Sequence, residues 1–265
     1  MPPIIHRTRS VIRKLRTAII LASSLLAVAP PARPAEQPPD LARRVARNES
    51  ASAAARLNYT YRQQVTVEEF GARGRRGGLY REVRDVIFSP ETGRGEQFVQ
   101  PPRSTLRFLK LTDEDFADIR NIQPFLFTED LLWAYETRYL GTEPMDGQEC
   151  HVLRVRPRQV FPDGDRMFDG LLWIHPEDLA VVRSEGRAVP EIVGRGGENR
   201  FPAFTTVRTK VDGRHWFPMY TLADDELEFS TGPLRIRMQI EYSDYQRFSA
   251  ESTVTFEESV PPPKQ

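Results

Sequence analysis

The sequence predicts a mainly β protein of the α+β class, built on a large antiparallel sheet with one dry face. Three observations predict it. The segment 234–242 alternates without a fault: Leu234, Ile236, Met238, Ile240 and Tyr242 are apolar, and Arg235, Arg237, Gln239 and Glu241 between them are polar. Such alternation puts the two sets on opposite faces of a strand. A one-faced strand belongs to an antiparallel sheet, because parallel sheets are covered on both faces. The segment 59–67 repeats the pattern, with Tyr59, Tyr61, Val65 and Val67 on one face and Thr60, Arg62, Gln64 and Thr66 on the other. From Trp133 onward, turn signals recur at Asp146-Gly147, Asp163-Gly164, Asp169-Gly170, His175-Pro176, Asp212-Gly213 and Gly232-Pro233. Asp-Gly between alternating segments is a strong hairpin signal, and consecutive hairpins make a meander.

The elements follow in chain order. Residues 1–35 read as a secretory signal: Arg7, Arg9, Arg13, Lys14 and Arg16 precede an apolar run over 18–29 that is too short to span a bilayer. Cleavage is expected at Ala32 or Ala35. That leaves 36–265 as a single domain, exported and expected to be a monomer. Asp40 is positioned to cap a helix running to Leu57, with Leu41 and Val45 one turn apart. Residues 71–78 read as a basic, glycine-rich hairpin tip. A phosphate loop would need a helix after it, and a strand follows instead. Strands are expected over 79–88 and 96–99, either side of a turn at Pro90 and Gly93. Thr112 and Asp115 form a capping-box signature ahead of a helix carrying Phe116, Ile119 and Ile122, which Pro124 interrupts. Further strands are expected over 133–141, 149–157, 167–174, 179–188, 203–211, 215–222, 225–230 and 234–248, with a loop over 191–199. After Tyr242 the apolar phase slips by one residue, which predicts a bulge.

Composition excludes several functions. Lys and Arg number 37 and so do Asp and Glu, giving a formal net charge of zero. A nucleic-acid partner would demand a basic surface. The single cysteine, Cys150, permits neither an internal disulfide nor a cysteine-based zinc site, and its place in a strand marks it as a buried small hydrophobe. His151, His175 and His215 stand alone in separate segments, so no metal site is expected. Asp163 and Asp165 lack the other ligands of a calcium loop. Asp224, Asp225 and Glu226 read as solvated acids at a hairpin. Gly-x-Ser-x-Gly, Ser-x-x-Lys and His-Glu-x-x-His are all absent. No catalytic residue and no cofactor is expected.

The functional content lies in the apolar load of 106–133. Leu106, Phe108, Phe116, Ile119, Phe125, Phe127, Leu132 and Trp133 occupy a helix-and-loop connection and must be buried against something. Core packing on the sheet and a lid over a ligand-binding concavity require the same residues.

The order of helix, strands, apolar helix-loop segment and long meander resembles the LolA/LolB superfamily of outer-membrane lipoprotein-sorting-like proteins. The stretches that carry the resemblance are 147–157, 172–176 with 181–185, 212–218, and the last strand with Tyr242, Tyr245 and Phe248. The resemblance implies a curved sheet or incomplete barrel, with the N-terminal helix and a helical lid segment on its concave face. It implies a non-catalytic periplasmic carrier or chaperone in lipoprotein transport. Its partners would be lipid or lipoprotein acyl chains, held by the eight lid residues above with Ile236, Met238 and Ile240. The alternative is an envelope sensor or interaction module, partnered by an envelope membrane protein, in which the same half-barrel is filled by its own side chains.

Overall fold

The structure, a computed structural model, describes residues 37–71, 74–89, 93–161, 165–194 and 197–247. The signal segment with both cleavage sites, the turns at Pro90 and Asp163-Gly164, and Phe248 lie outside the described residues. In chain order the elements are α1 (Leu41–Arg56), β1 (Tyr59–Phe70), β2 (Arg76–Ser89), β3 (Gly93–Ser104), α2 (Asp113–Asn121), a 3-10 helix (Glu129–Ala134), β4 (Tyr135–Met145), β5 (Gln148–Pro157), β6 (Met167–Ile174), β7 (Val181–Val189), β8 (Ile192–Gly194), β9 (Gly197–Asn199), β10 (Phe204–Val211), β11 (His215–Phe229) and β12 (Gly232–Arg247). Ten strands form one open sheet in the order β3-β2-β1-β12-β11-β10-β7-β6-β5-β4, and every neighbouring pair is antiparallel.

The expected alternation sets the two faces. In β12, Met238 and Ile240 lie opposite Val67 and Val65 of β1 on one side, and opposite Ala223 and Thr221 of β11 on the other. These apolar residues join Phe168 and Leu172 of β6 and Leu153 and Val155 of β5 in a single core cluster on the covered face. The cover is α1 together with 105–134. The stripe of α1 that faces the core is Leu41, Val45, Glu49 and Ser52, at helical spacing. On the opposite face Cys150 packs with Val152, Trp173 and Val182 in a smaller cluster.

Local chemistry explains where the strands bend and turn. Asp146 and Gly147 both take positive φ (49° and 81°), as a two-residue mirror-image turn requires. The bulge after Tyr242 is present: Thr60 pairs with Gln246 but Arg62 pairs with Ser243, so β12 carries one extra residue, and Asp244 sits at φ 55°.

Four sequence expectations are corrected. Asp40 adopts a left-handed backbone (φ 52°) and makes no side-chain cap, so α1 is held by its buried stripe instead. Asp169-Gly170 is not a turn but lies within β6. Gly170 faces Gly186 of β7, and a Cβ on either would meet the other strand's backbone and the Phe168 ring. The loop expected over 191–199 contains the β8–β9 strand pair. The segments expected as two strands around Asp224 form the single strand β11. Asp224 stands within it and takes hydrogen bonds from Arg235 Nε (2.9 Å) and Arg237 Nη2 (2.7 Å) of β12. Asp224, still solvent-exposed, is a cross-strand ion-pair partner, and the two arginines hold its carboxyl down at about 2.

Candidate groove between the sheet margin and the lid

The lid meets the sheet in two different ways. Away from the β3 edge, over β10, β6 and β4, it closes on the sheet. Phe125 stacks on Phe168 of β6 (4.7 Å between ring centroids), Phe127 stands edge-on to Tyr135 (6.0 Å), and Phe168 reaches Phe204 (5.8 Å). Phe127 and Phe168 are fully buried. Each such ring contributes about 1.5–3 kcal/mol by leaving water.

Polar groups on the covered face fix the lid in place there. Thr206 of β10 donates to the carbonyl of Gln123 (2.7 Å), and Arg208 donates to the carbonyl of Phe125. Arg208 also forks onto Glu49 of α1 (3.0 and 2.8 Å), whose carboxylate accepts the Val181 N–H (3.1 Å). Glu49 and Arg208 are buried, so their charges are admissible only as this mutually satisfied set.

Toward the β3 edge the cover stands off. Glu69, at the end of β1, is completely buried, and its carboxylate accepts three consecutive backbone N–H groups: Arg107 (2.6 Å), Phe108 (2.9 Å) and Leu109 (2.9 Å). Charged acceptors make the stronger class of hydrogen bond, so this one side chain pins the start of the lid. Opposite Glu69 lies Gly78 of β2, where a Cβ would collide with Thr105 and Leu106. Glycine at 78 is what lets the connection lie down on the strand.

Beyond this pin opens a groove of about 790 Å³. Its sheet side is Tyr80, Glu82 and Arg84 of β2 with Glu96, Phe98 and Pro102 of β3. Its lid side is Leu106, Arg107, Leu109, Lys110 and Leu111, followed by Asp113, Phe116 and Arg120 of α2. The ring of Phe116 approaches that of Tyr80 at 5.9 Å. Helix α2 is placed by the expected capping box: Asp115 N–H donates to Thr112 Oγ1 (3.4 Å) and Thr112 N–H to Asp115 Oδ2 (2.6 Å). Its far end is fixed by buried Asp118, paired with Arg166 (3.3 Å), which in turn lies over Phe201 at 3.7 Å.

The floor of the groove is charged but internally matched. Arg84 bridges Glu82 and Glu96, Tyr80 donates to Glu82 (2.7 Å), and Arg94 donates to Glu96 (2.8 Å). Burial, reinforced by the Glu82 carboxylate, pushes the Tyr80 phenol well up. Burial works against ionisation of Glu96, but Arg94 and Arg84 outweigh it and hold its carboxyl below the usual range. The guanidinium of Arg84 also faces the Phe98 ring at 5.3 Å.

Of the residues singled out in the sequence, Leu106 and Phe116 line the groove. Ile119, Phe125, Phe127, Ile236, Met238 and Ile240 are buried, and Leu132 packs against the core. Phe108 and Trp133 face solvent, 67% and 79% exposed. Sequence reasoning missed Tyr80, Phe98, Leu109 and Leu111, and it missed the charged floor. One signal was available: Glu69 falls in phase with Val65 and Val67, and Glu82 and Arg84 fall in phase with Tyr80 and Val86.

Among the described residues, no histidine or cysteine lines the groove. His151 Nδ1 meets the Tyr139 hydroxyl (3.2 Å), His175 Nδ1 accepts the Asp178 N–H (3.1 Å), and His215 stacks on Phe217. Burial raises the Cys150 thiol. Among the described residues, no group of three or more His, Cys, Asp or Glu side chains is placed to hold a metal ion. Among the same residues, no helix is long and apolar enough to cross a membrane. The groove offers binding surfaces of both polarities.

No protein-family model matches the chain, and no curated protein matches it. Solved structures do. A DUF1329 family protein from Desulfovibrio piger is 16% identical, with 83% of this chain and 95% of that chain covered and a TM-score of 0.37. An outer membrane lipoprotein-sorting protein domain from Vibrio parahaemolyticus is 10% identical, with 80% and 95% covered and a TM-score of 0.37. The MucA/MucB complex of Pseudomonas aeruginosa contains a chain that is 12% identical, with 80% and 100% covered and a TM-score of 0.23.

Proposed function

We propose that residues 36–265 act as one domain, a non-catalytic periplasmic carrier that holds lipoprotein acyl chains or another lipid. The observation that carries the reading is the groove of about 790 Å³, walled on the lid side by Leu106, Leu109, Leu111 and Phe116. Its volume falls in the range of small-molecule sites. About ten methylenes buried on those side chains would yield roughly 8 kcal/mol at ~0.8 kcal/mol each, a gross micromolar affinity. The reading moves the ligand from the centre of the sheet, which Phe125 and Phe127 fill, to the margin. The basic, apolar leader over 1–35 supports export.

The test is mass spectrometry of lipid carried through purification, together with uptake of a fluorescent fatty acid. Phe116→Asp is expected to abolish both, and Trp133→Asp, at an exposed site outside the groove, to leave both intact. Absence of extractable lipid and of uptake contradicts the proposal.

The filled centre favours a second reading, an envelope sensor or interaction module. Recovery of one envelope protein partner in pull-downs, without lipid, would select it.

A further inference from the structure

We infer that the groove selects lipids by an anionic head, gripped at its lid-side rim by Arg107, Lys110 and Arg120. The inference rests on the groove being a lipid site, and it adds the chemical class of the ligand.

The chain has no net charge, so any local excess of one sign comes from placement. Within the groove the charges fall into two groups. On the floor, Glu82 and Glu96 are neutralised by Arg84 and Arg94 through direct contacts. An anion entering there would face two carboxylates already satisfied, and would have to break those pairs to gain anything. On the lid side, Arg107, Lys110 and Arg120 line the groove beside Asp113, and among the described residues none of the three cations makes an ion pair. Arg107 and Lys110 are exposed, and Arg120 is half-buried at the C-terminal end of α2.

These cations alternate along the connection with the apolar residues that would hold a chain, in the order Leu106, Arg107, Leu109, Lys110, Leu111. The Glu69 cradle fixes the backbone of 107–109, so the head site and the chain site are held in register by one buried carboxylate. A phosphate or carboxylate head at this rim keeps its own solvation while its chain lies on the leucines and Phe116. Screening over about 10 Å at 0.1 M salt makes such attraction sensitive to ionic strength.

The experiment compares two lysophospholipids of the same acyl chain, anionic lysophosphatidylglycerol and zwitterionic lysophosphatidylcholine. Binding is measured below the micellar concentration for the mature chain and for Arg107→Gln/Lys110→Gln/Arg120→Gln. The Gln side chains leave the backbone bonds to Glu69 in place, and an unchanged thermal transition verifies the fold. The expected result is about tenfold tighter binding of the anionic lipid at low salt. That preference should shrink at high salt and vanish in the triple variant, with the zwitterionic lipid binding both proteins alike. Equal affinity of the natural chain for the two lipids overturns the inference and leaves the groove as a lipid site. So does a preference that survives the triple substitution. Failure of both lipids to bind overturns the lipid site and the inference together.

Discussion

The lid covers the sheet from 105 to 134, and its two halves do so differently. Over 119–127 the apolar side chains Ile119, Ile122, Phe125 and Phe127 are buried, and the neighbouring backbone is tied to the sheet by Thr206 and Arg208. Over 105–116 the connection is held chiefly by Glu69 and stands off a floor of charged residues, leaving a groove. The difference originates in the strands beneath. The strands from β12 across to β6 offer Phe168, Leu172 and Ile240, which a lid of phenylalanines can cover without leaving space. The marginal strands put Glu82, Arg84 and Glu96 on the same face, and large apolar groups laid directly on them would strip water from charges. One sheet face is therefore a packed core over part of its width and an open groove at the β3 margin. On the proposed function that division separates stability from binding, and the two halves call for separate perturbations.

The largest effect is expected at the centre. Phe127→Ala should cost about 3–5 kcal/mol in urea unfolding, the usual cost of truncating a buried aromatic ring. Lipid binding by the folded fraction should not change. A large loss of binding with unchanged stability would erase the distinction between the two halves.

At the junction, Glu69→Gln should cost about 2–3 kcal/mol, because an amide supplies one acceptor oxygen where the carboxylate supplies two. The accompanying signature is local: faster hydrogen exchange at the amides of Arg107, Phe108 and Leu109, with the amides of β10 and β11 unaffected. Uniform acceleration through the sheet would show that Glu69 is not a lid pin.

A smaller effect ties α2 to pH. Burial raises Asp118 to about 7 against the opposing pull of Arg166, from an ordinary value of 3.8. The folded state therefore holds this proton more tightly than the unfolded chain. The contribution to stability is complete below about pH 4 and is lost as pH rises through 7. Between pH 5 and pH 7 the natural chain should lose about 2 kcal/mol from this group, and Asp118→Asn should flatten that slope. An unchanged slope would mean that Asp118 stays ionised beside Arg166 throughout.

Local rules were legible in the sequence, and long-range polar pairings were not. The alternation of 234–242, the Thr112–Asp115 capping box, the bulge after Tyr242 and the Asp146-Gly147 turn depend on residues a few positions apart, and each appears as expected. Asp224 is solvent-exposed as expected, but it lies within a strand and not at a turn, and its partners Arg235 and Arg237 lie across a hairpin, where no local pattern announces them. Glu49 with Arg208, and Glu69 with the amides of 107–109, join residues far apart in sequence, and no periodicity announces such partners. Phe108 and Trp133 show the limit of composition: both belong to the apolar load of the lid, yet both are exposed. The misplaced polar phase of Glu82 and Arg84 was the visible sign that one end of the dry face is not dry.

The central claim is that ligand occupies the margin and not the centre. Paramagnetic relaxation from a spin-labelled fatty acid, read on assigned amide and methyl signals, tests it most directly. The account predicts strong broadening at Leu109, Leu111 and Phe116, with the signals of Phe127 and Ile240 left sharp. Broadening centred on Phe127 and Ile240 would place the ligand within the core and contradict it.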